Sequence, residues 1–306
     1  MSLRVAQPLG HSQRGTPLKS FHSYQILHPI KQRGMSHVYK AMYLGSHGFR
    51  RPVAIKIANA RPQMAHWIHH EARLLAALSG PHVPRVYDTG TLGDTPYFSM
   101  EWIEGHSLRT LLKTKRLPMP VILDVMIQLC DALSTLHGAK HPIIHSDIKP
   151  ANIMVNPRGH LTLVDLGISG HIGQRRQKAT YGTVAYMSPE QLEQGRLTPP
   201  SDIFAMGAIL FEMLVGRRLF TGTLPQILAQ RLQTSAASHH QQIAQQIPTA
   251  YKSLTPLLLH CLEEDAASRP KCVEPLRDAL CAIIHPLRAK SVARKWWGRQ
   301  AYRGSV

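Results

Sequence analysis

The chain has 306 residues, 43% of them hydrophobic, with 36 Lys and Arg against 18 Asp and Glu and a formal net charge of +18. That length and apolar content exclude a wholly disordered chain and suffice for one large domain or two small lobes, each with a core. The four cysteines, Cys130, Cys261, Cys272 and Cys281, show no Cys-x-x-Cys spacing, which speaks against a zinc site and for small buried apolar residues in a reducing compartment.

Residues 1–20 are polar, basic and punctuated by Gly and Pro, the composition of a flexible arm. "YQILHPI", "SHVYKAMYL" and "RPVAIKIA" are rich in β-branched and aromatic residues and predict short antiparallel strands, with turns at Gly34, "GSHG" and Pro52. "QMAHWIHHEARLLAALSG" carries Trp67, Ile68, Leu74, Leu75 and Leu78 on one stripe and ends at Gly80, so a helix is expected there. Glu71 falls inside that stripe. An acid on an apolar face needs a partner, and the isolated cation Lys56 in the apolar strand "VAIKI" is the candidate. His66 and His70 stand four apart on the same helix, the spacing of a metal pair, but no further ligand is apparent.

"TPYFSMEWIEGHSLRTLL" reads as strand, connector and helix, and from residue 121 the pattern is mostly helical. "VILDVMIQLCDALSTLHG" is amphipathic, whereas "SDIFAMGAILFEMLVG" is apolar nearly all round and should be the core of a helical lobe. The longest candidate for a membrane span, "FAMGAILFEMLVG", is interrupted by Glu212 and reads as a buried helix. The first fifteen residues lack the apolar core of a secretory signal, so a cytoplasmic setting is expected. Residues 287–306 contain no acid and carry Trp296 and Trp297. That composition suits peripheral contact with an anionic membrane or a nucleic acid, or a tail that docks its Trp pair on the domain. The positive charge of the whole chain favours polyanions in the same way, or is a basic surface with no specific ligand.

"HSDIKPAN", residues 145–152, gathers His145, Asp147, Lys149 and Asn152 on a turn that Pro150 keeps out of a helix interior. Alone, Asp147 reads as a turn cap and Lys56 as a snorkelling strand residue. Together with "VAIK" (53–56), Glu71, "DLG" (165–167) and "SPE" (188–190), in this order and spacing, they form a set that resembles the protein-kinase signature. "GMSHVYKA", "YMSPEQ" and "SDIFAMGAILFEMLVGRRLF" are similar to bacterial members of the eukaryotic-like Ser/Thr kinases, and the match covers about residues 24–281.

The resemblance implies an α+β, two-lobed protein-kinase-like fold: a small antiparallel sheet with one helix, then a larger, mainly helical lobe. It implies an arm at 1–20, a kinase domain at 21–283 with lobes at about 21–103 and 104–283, and a basic tail at 284–306. It implies ATP and Mg²⁺ as cofactors and Ser or Thr hydroxyls of proteins as acceptors. Lys56, oriented by Glu71, would hold the α- and β-phosphates. Asp147 would take the acceptor proton, Lys149 would reach the γ-phosphate, and Asn152 and Asp165 would ligate the metal. Ile30, Gly34, Val38, Ala54, Met100, Glu101 and Ile103 would line the nucleotide site. Asp202 would hydrogen-bond the backbone of the catalytic turn, and Glu190 would pair with Arg269. Thr180 is a candidate phosphorylation site beside Arg175, Arg176 and Lys178, and Thr183 is implied to belong to the substrate wall.

Two features depart from the family pattern. Ser146 stands where the family usually has Arg, a residue that in many members pairs with a phosphate on the activation loop. The three positions of the glycine-rich loop hold Lys31, Arg33 and Ser36, leaving only Gly34 nearby. Lost backbone approach to phosphate predicts weaker nucleotide handling, with Lys31 and Arg33 offsetting part of it by charge. Two other readings therefore stand beside the kinase: a pseudokinase scaffold, and a kinase-fold phosphotransferase for small molecules.

Overall fold

Strands dominate the chain up to Glu101, where β-branched and aromatic residues are frequent, and helices dominate from Leu108 onward. The structure, a computed structural model, describes residues 20–21, 23–31, 36–59, 62–114, 116–166, 170–171, 184–193, 195–232, 236–284 and 286–301. Contacts divide the chain into two units: one runs to Ala77 and takes in Pro84–Trp102, and the other takes Leu78–Val83 and the chain from Ile103. The expected arm, Gly34, Arg33, Thr180 and Thr183 lie outside the described residues, save for Ser20 at the arm's end.

The first unit is a six-stranded antiparallel sheet with one helix. Its strands are β1 (Ser20–Phe21), β2 (Tyr24–Lys31), β3 (Ser36–Leu44), β4 (Arg50–Ala58), β5 (Val86–Leu92) and β6 (Thr95–Glu101), in the order β1-β2-β3-β4-β6-β5. Helix α1 (Pro62–Ala77) packs on β4, β5 and β6. The β4 side chains alternate between two apolar faces, so "VAIKIA" is buried throughout. One face holds a core of Tyr24, Ala41, Val53, Ile55, Ile57 and Tyr97. In that core the Tyr24 hydroxyl meets Ser99 Oγ at 2.9 Å, which satisfies a buried polar group. The opposite face carries Lys56.

The second unit has five short strands and nine helices among the described residues: β7 (His106–Ser107), α2 (Leu108–Thr114), α3 (Met119–His137), β8 (Ile143–Ile144), β9 (Ile153–Val155), β10 (Leu161–Leu163), β11 (Gly170–His171), α4 (Pro189–Leu192), α5 (Pro199–Val215), α6 (Leu224–Leu232), α7 (Ala236–Gln246), α8 (Thr255–Cys261), α9 (Glu274–Ile283) and α10 (Pro286–Ala301). The core lies along α3 and α5, where Ile122, Leu129, Leu133, Phe204, Ile209 and Phe211 are at most 1% exposed. Each such side chain contributes about 1.5–3 kcal/mol of burial. α5 begins at Pro199, where the Thr198 N–H donates to Ser201 Oγ (3.2 Å), and ends at Gly216 in the left-handed region (φ 83). Gly207 lets α8 approach, since a Cβ there would lie 2.8 Å from Cys261 Cβ.

Three features differ from the sequence expectations, and the tail takes one of the two forms expected of it. Pro52 lies inside β4 rather than at a turn: β6 pairs with β4 only from Val53 on, so the missing N–H costs no ladder bond. Of the cysteines expected to be buried, Cys130 and Cys261 are, but Cys272 is exposed. Among the described residues the helix that is long and apolar enough to cross a membrane is α3, not α5, and it is mostly buried within the unit, with Asp124 and Gln128 on it. The tail forms α10, which packs along α3 with Ala293 and Trp297 buried.

Candidate active site

In the first unit, register puts the expected residues on one face. Lys56 pairs with Val38 on one side and Phe98 on the other, and Ala54 pairs with Met100. Residues two apart on a strand, and those directly opposite, share a face. Val38, Ala54, Lys56 and Met100 therefore point the same way. Lys56 Nζ donates to both oxygens of Glu71, at 2.7 and 2.6 Å, with both residues under 5% exposed. This is the pairing that the two misplaced charges called for. Ile30 is 52% exposed on β2. Ser36, at one of the altered glycine positions, is buried opposite Ala58. Glu101 closes β6, donating its N–H to the Arg85 carbonyl (2.8 Å), and the following residues up to Glu104 have no regular structure.

In the second unit, the turn after β8 is built on Asp202. Its Oδ2 accepts from the His145 N–H and its Oδ1 from the Ser146 N–H, both at 2.9 Å. His137 Nε2 lies 2.9 Å from the same Oδ2. Ser146 is held in the left-handed region (φ 66), where a non-glycine residue needs support. Gln191 Nε2 gives it, donating to the Ser146 carbonyl at 2.9 Å. The Ser146 side chain is buried and turns back on the Ile144 carbonyl (3.3 Å), so it offers no charge to a neighbouring segment.

Asp147 follows. Its N–H donates to His145 Nδ1 (3.2 Å). Burial holds the His145 imidazole below its ordinary value against the upward pull of Asp202, Asp147 and Asp165. A neutral ring keeps Nδ1 an acceptor. Asp147 Oδ2 accepts from Lys149 Nζ at 2.6 Å and from Asn152 Nδ2 at 3.1 Å. Its other oxygen, Oδ1, is buried without a hydrogen-bond partner. Asn152 Nδ2 also donates to the Asp147 carbonyl (2.9 Å), so the amide nitrogen is committed to Asp147. The β9–β10 hairpin joins Asn152 to Asp165, and Val164 N–H donates to the Asn152 carbonyl at 2.9 Å. Asp165 is itself in the left-handed region (φ 71).

Behind this turn, Arg269 pairs with Glu190 at 2.8 and 2.9 Å. Its remaining N–H groups go to the carbonyls of Glu263, Pro200 and Glu264, so all five donors are used. Burial pushes the Glu190 carboxyl up, but the bonds from Arg269 and Ser201 outweigh it and leave the group below its usual range. The sequence reading did not single out His137, Gln191 or the ring of His145. Of these only His145 had a signal, its place beside Asp147 in "HSDIKPAN".

The protein kinase domain family matches residues 24–280. The chain is 34% identical over 282 residues to the serine/threonine-protein kinase pkn2 of Myxococcus xanthus, covering 87% of this chain and 33% of that protein. It is 35% identical over 208 residues to PknL of Mycobacterium bovis, with 65% and 51% covered. With PknB of Mycobacterium tuberculosis it shares 34% identity over 224 residues, with 69% and 35% covered. The chain thus spans between a third and a half of the length of these relatives. Family membership implies the use of ATP and a divalent metal. This chain belongs to the protein kinase domain family.

Proposed function

We propose that the chain is a Ser/Thr protein kinase that transfers the γ-phosphate of ATP to protein hydroxyls, through a catalytic domain at 21–283 whose lobes span about 21–103 and 104–283. The observation that carries the reading is the asymmetry of Asp147. One oxygen is pinned by Lys149 and Asn152, and the other is buried with no hydrogen-bond partner. An acceptor hydroxyl supplies the missing donor, and the same oxygen takes its proton as the phosphoryl group leaves ATP. Lys149 balances charge on that group. Lys56, held by Glu71, binds the α- and β-phosphates. Val38, Ala54 and Met100, with Ile30, Gly34, Glu101 and Ile103, receive the nucleoside.

Asn152 and Asp165 offer an amide and a carboxylate oxygen at the two ends of one hairpin, a donor set that fits a hard cation, and Mg²⁺ is the cation we assign to them. Held there, the metal would supply neutralisation of charge on the nucleotide's phosphates. Asp202 and the Glu190–Arg269 pair hold the framework of the turn. Thr180 we assign to phosphorylation and Thr183 to the substrate wall. Four free cysteines are in keeping with a reducing, cytoplasmic setting. The exposed cations of α10, Arg288, Lys290, Arg294 and Lys295, would meet an anionic membrane or nucleic acid by charge alone, because Trp297 is turned inward. Binding to anionic vesicles or nucleic acid that ignores salt would count against that contact. The kinase reading is tested by phosphate incorporation from ATP into the chain itself or a generic protein, which Asp147→Asn should abolish.

A further inference from the structure

Helix α10 lies beyond residues 24–280, the part of the chain that the family accounts for, yet its Trp297 is only 3% exposed. Its ring lies on the turn between β9 and β10. Gly159 in that turn has φ +82, and a Cβ there would come within 2.6 Å of Trp297 Cδ1. The turn is fixed from the other side by α3. Gln128 Nε2 donates to the Gly159 carbonyl (2.8 Å) and to Asp124 (2.9 Å), and Gln128 Oε1 accepts the Leu161 N–H (2.9 Å). Asn156 Oδ1 closes the turn from within, accepting the N–H groups of Arg158 and His160, both at 2.9 Å. His160 and His82 tie it to the residue 81–82 segment through the Pro81 carbonyl (2.6 Å) and the Leu161 carbonyl (2.8 Å).

The hairpin held this way is the one that carries Asn152 immediately before β9 and Asp165 two residues after β10. Its strands pair in strict register from Val155–Leu161 to Ile153–Leu163. Displacement of the turn is therefore carried along two three-residue strands to the paired ends.

We propose that Trp297 is a positioning residue for the metal site: α10 clamps the β9–β10 turn and so fixes the separation of Asn152 and Asp165. The proposal rests on the metal role assigned to those two residues. Trp297 Nε1 is buried without a hydrogen-bond partner, so the ring acts by shape, and Phe should replace it.

The test is calorimetric titration of ADP into the full chain over a range of Mg²⁺ concentrations and without metal, with melting temperatures in parallel. Trp297→Ala should raise the Mg²⁺ needed for half-maximal enhancement of ADP binding by about tenfold, the low end for outer-shell partners of metal ligands. Metal-free ADP binding should be unchanged, and Trp297→Phe should behave as wild type. A Trp297→Ala protein that melts lower but keeps the wild-type Mg²⁺ dependence would overturn the proposal and leave α10 a brace. If Trp297→Ala does not fold, Trp297→Leu carries the same two outcomes. Asp165→Asn is the control for the underlying reading. If it too leaves the Mg²⁺ dependence unchanged, the metal assignment fails and the clamp falls with it, whereas a shifted Asp165→Asn beside an unshifted Trp297→Ala rejects the clamp alone.

Discussion

Asp124 sits in the middle of α3 at 5% exposure, with its carboxylate accepting from Gln128 at 2.9 Å. Burial pushes its carboxyl from 3.8 up to about 6, against the lowering pull of Gln128, Lys290 and His160. The folded value lies above the unfolded one. The stabilising contribution is therefore complete below the unfolded value and is lost as pH rises through about 6. The shift of about two pH units corresponds to roughly 3 kcal/mol, at about 1.4 kcal/mol per unit. Asp124→Asn keeps the shape and the oxygen that Gln128 needs, and removes the ionisation. At pH 8.5 the variant should be more stable by up to about 3 kcal/mol, a rise in melting temperature of roughly 5–10 °C for a chain of this size. At pH 5 the difference should shrink to roughly half of that, and the two proteins should melt together only below the unfolded value of 3.8. Scanning calorimetry at both pH values is the assay. An equal shift at both, or a lower melting temperature for the variant at pH 8.5, would refute the reasoning.

Three further predictions concern the framework of the site. Glu190→Ala strands the fully buried Arg269 guanidinium and should cost about 3–5 kcal/mol in denaturant unfolding. Because the folded Glu190 carboxyl lies below its usual range, its contribution is present above the unfolded value and lost as pH falls; the acid limb of a Glu190→Gln stability profile should be flatter than that of wild type. Gly105 has φ +143, and a Cβ there would lie 2.2 Å from the Val155 carbonyl oxygen. Gly105→Ala should therefore destabilise by about 3 kcal/mol or more and expose the β7–β9 amides to hydrogen exchange. Glu71→Gln leaves the buried Lys56 without its counter-charge, and should both weaken ATP binding by roughly tenfold or more in a direct titration and lower the melting temperature.

Much of this arrangement was legible in the sequence because it broke local rules. Lys56 and Glu71 each violate the apolar pattern of their own element, and only a mutual pair relieves both. Asp147, Lys149 and Asn152 are close in sequence, so a turn must bring them together. Gln191 and His137 were not legible. Each is an ordinary polar residue on a helix, and its value comes from where the left-handed Ser146 and the carboxylate of Asp202 happen to lie. Pro52 misled because proline is read as a strand breaker, yet β4 is paired on one side only at that point. The tail left two readings open for a related reason. Its two tryptophans and many cations describe both a surface-binding helix and a docked one, and the choice depends on Gly159, far away in sequence, leaving room for Trp297.

The central claim is that Asp147 receives the acceptor proton during phosphoryl transfer. The most direct measurement is phosphate incorporation from ATP with Mg²⁺, comparing wild type, Asp147→Asn and Lys56→Met at matched folded concentrations. The account predicts incorporation by wild type and its loss in both variants, with Asp147→Asn still binding nucleotide. Incorporation by Asp147→Asn at the wild-type rate, or folded wild type that neither binds nor turns over ATP, would contradict it.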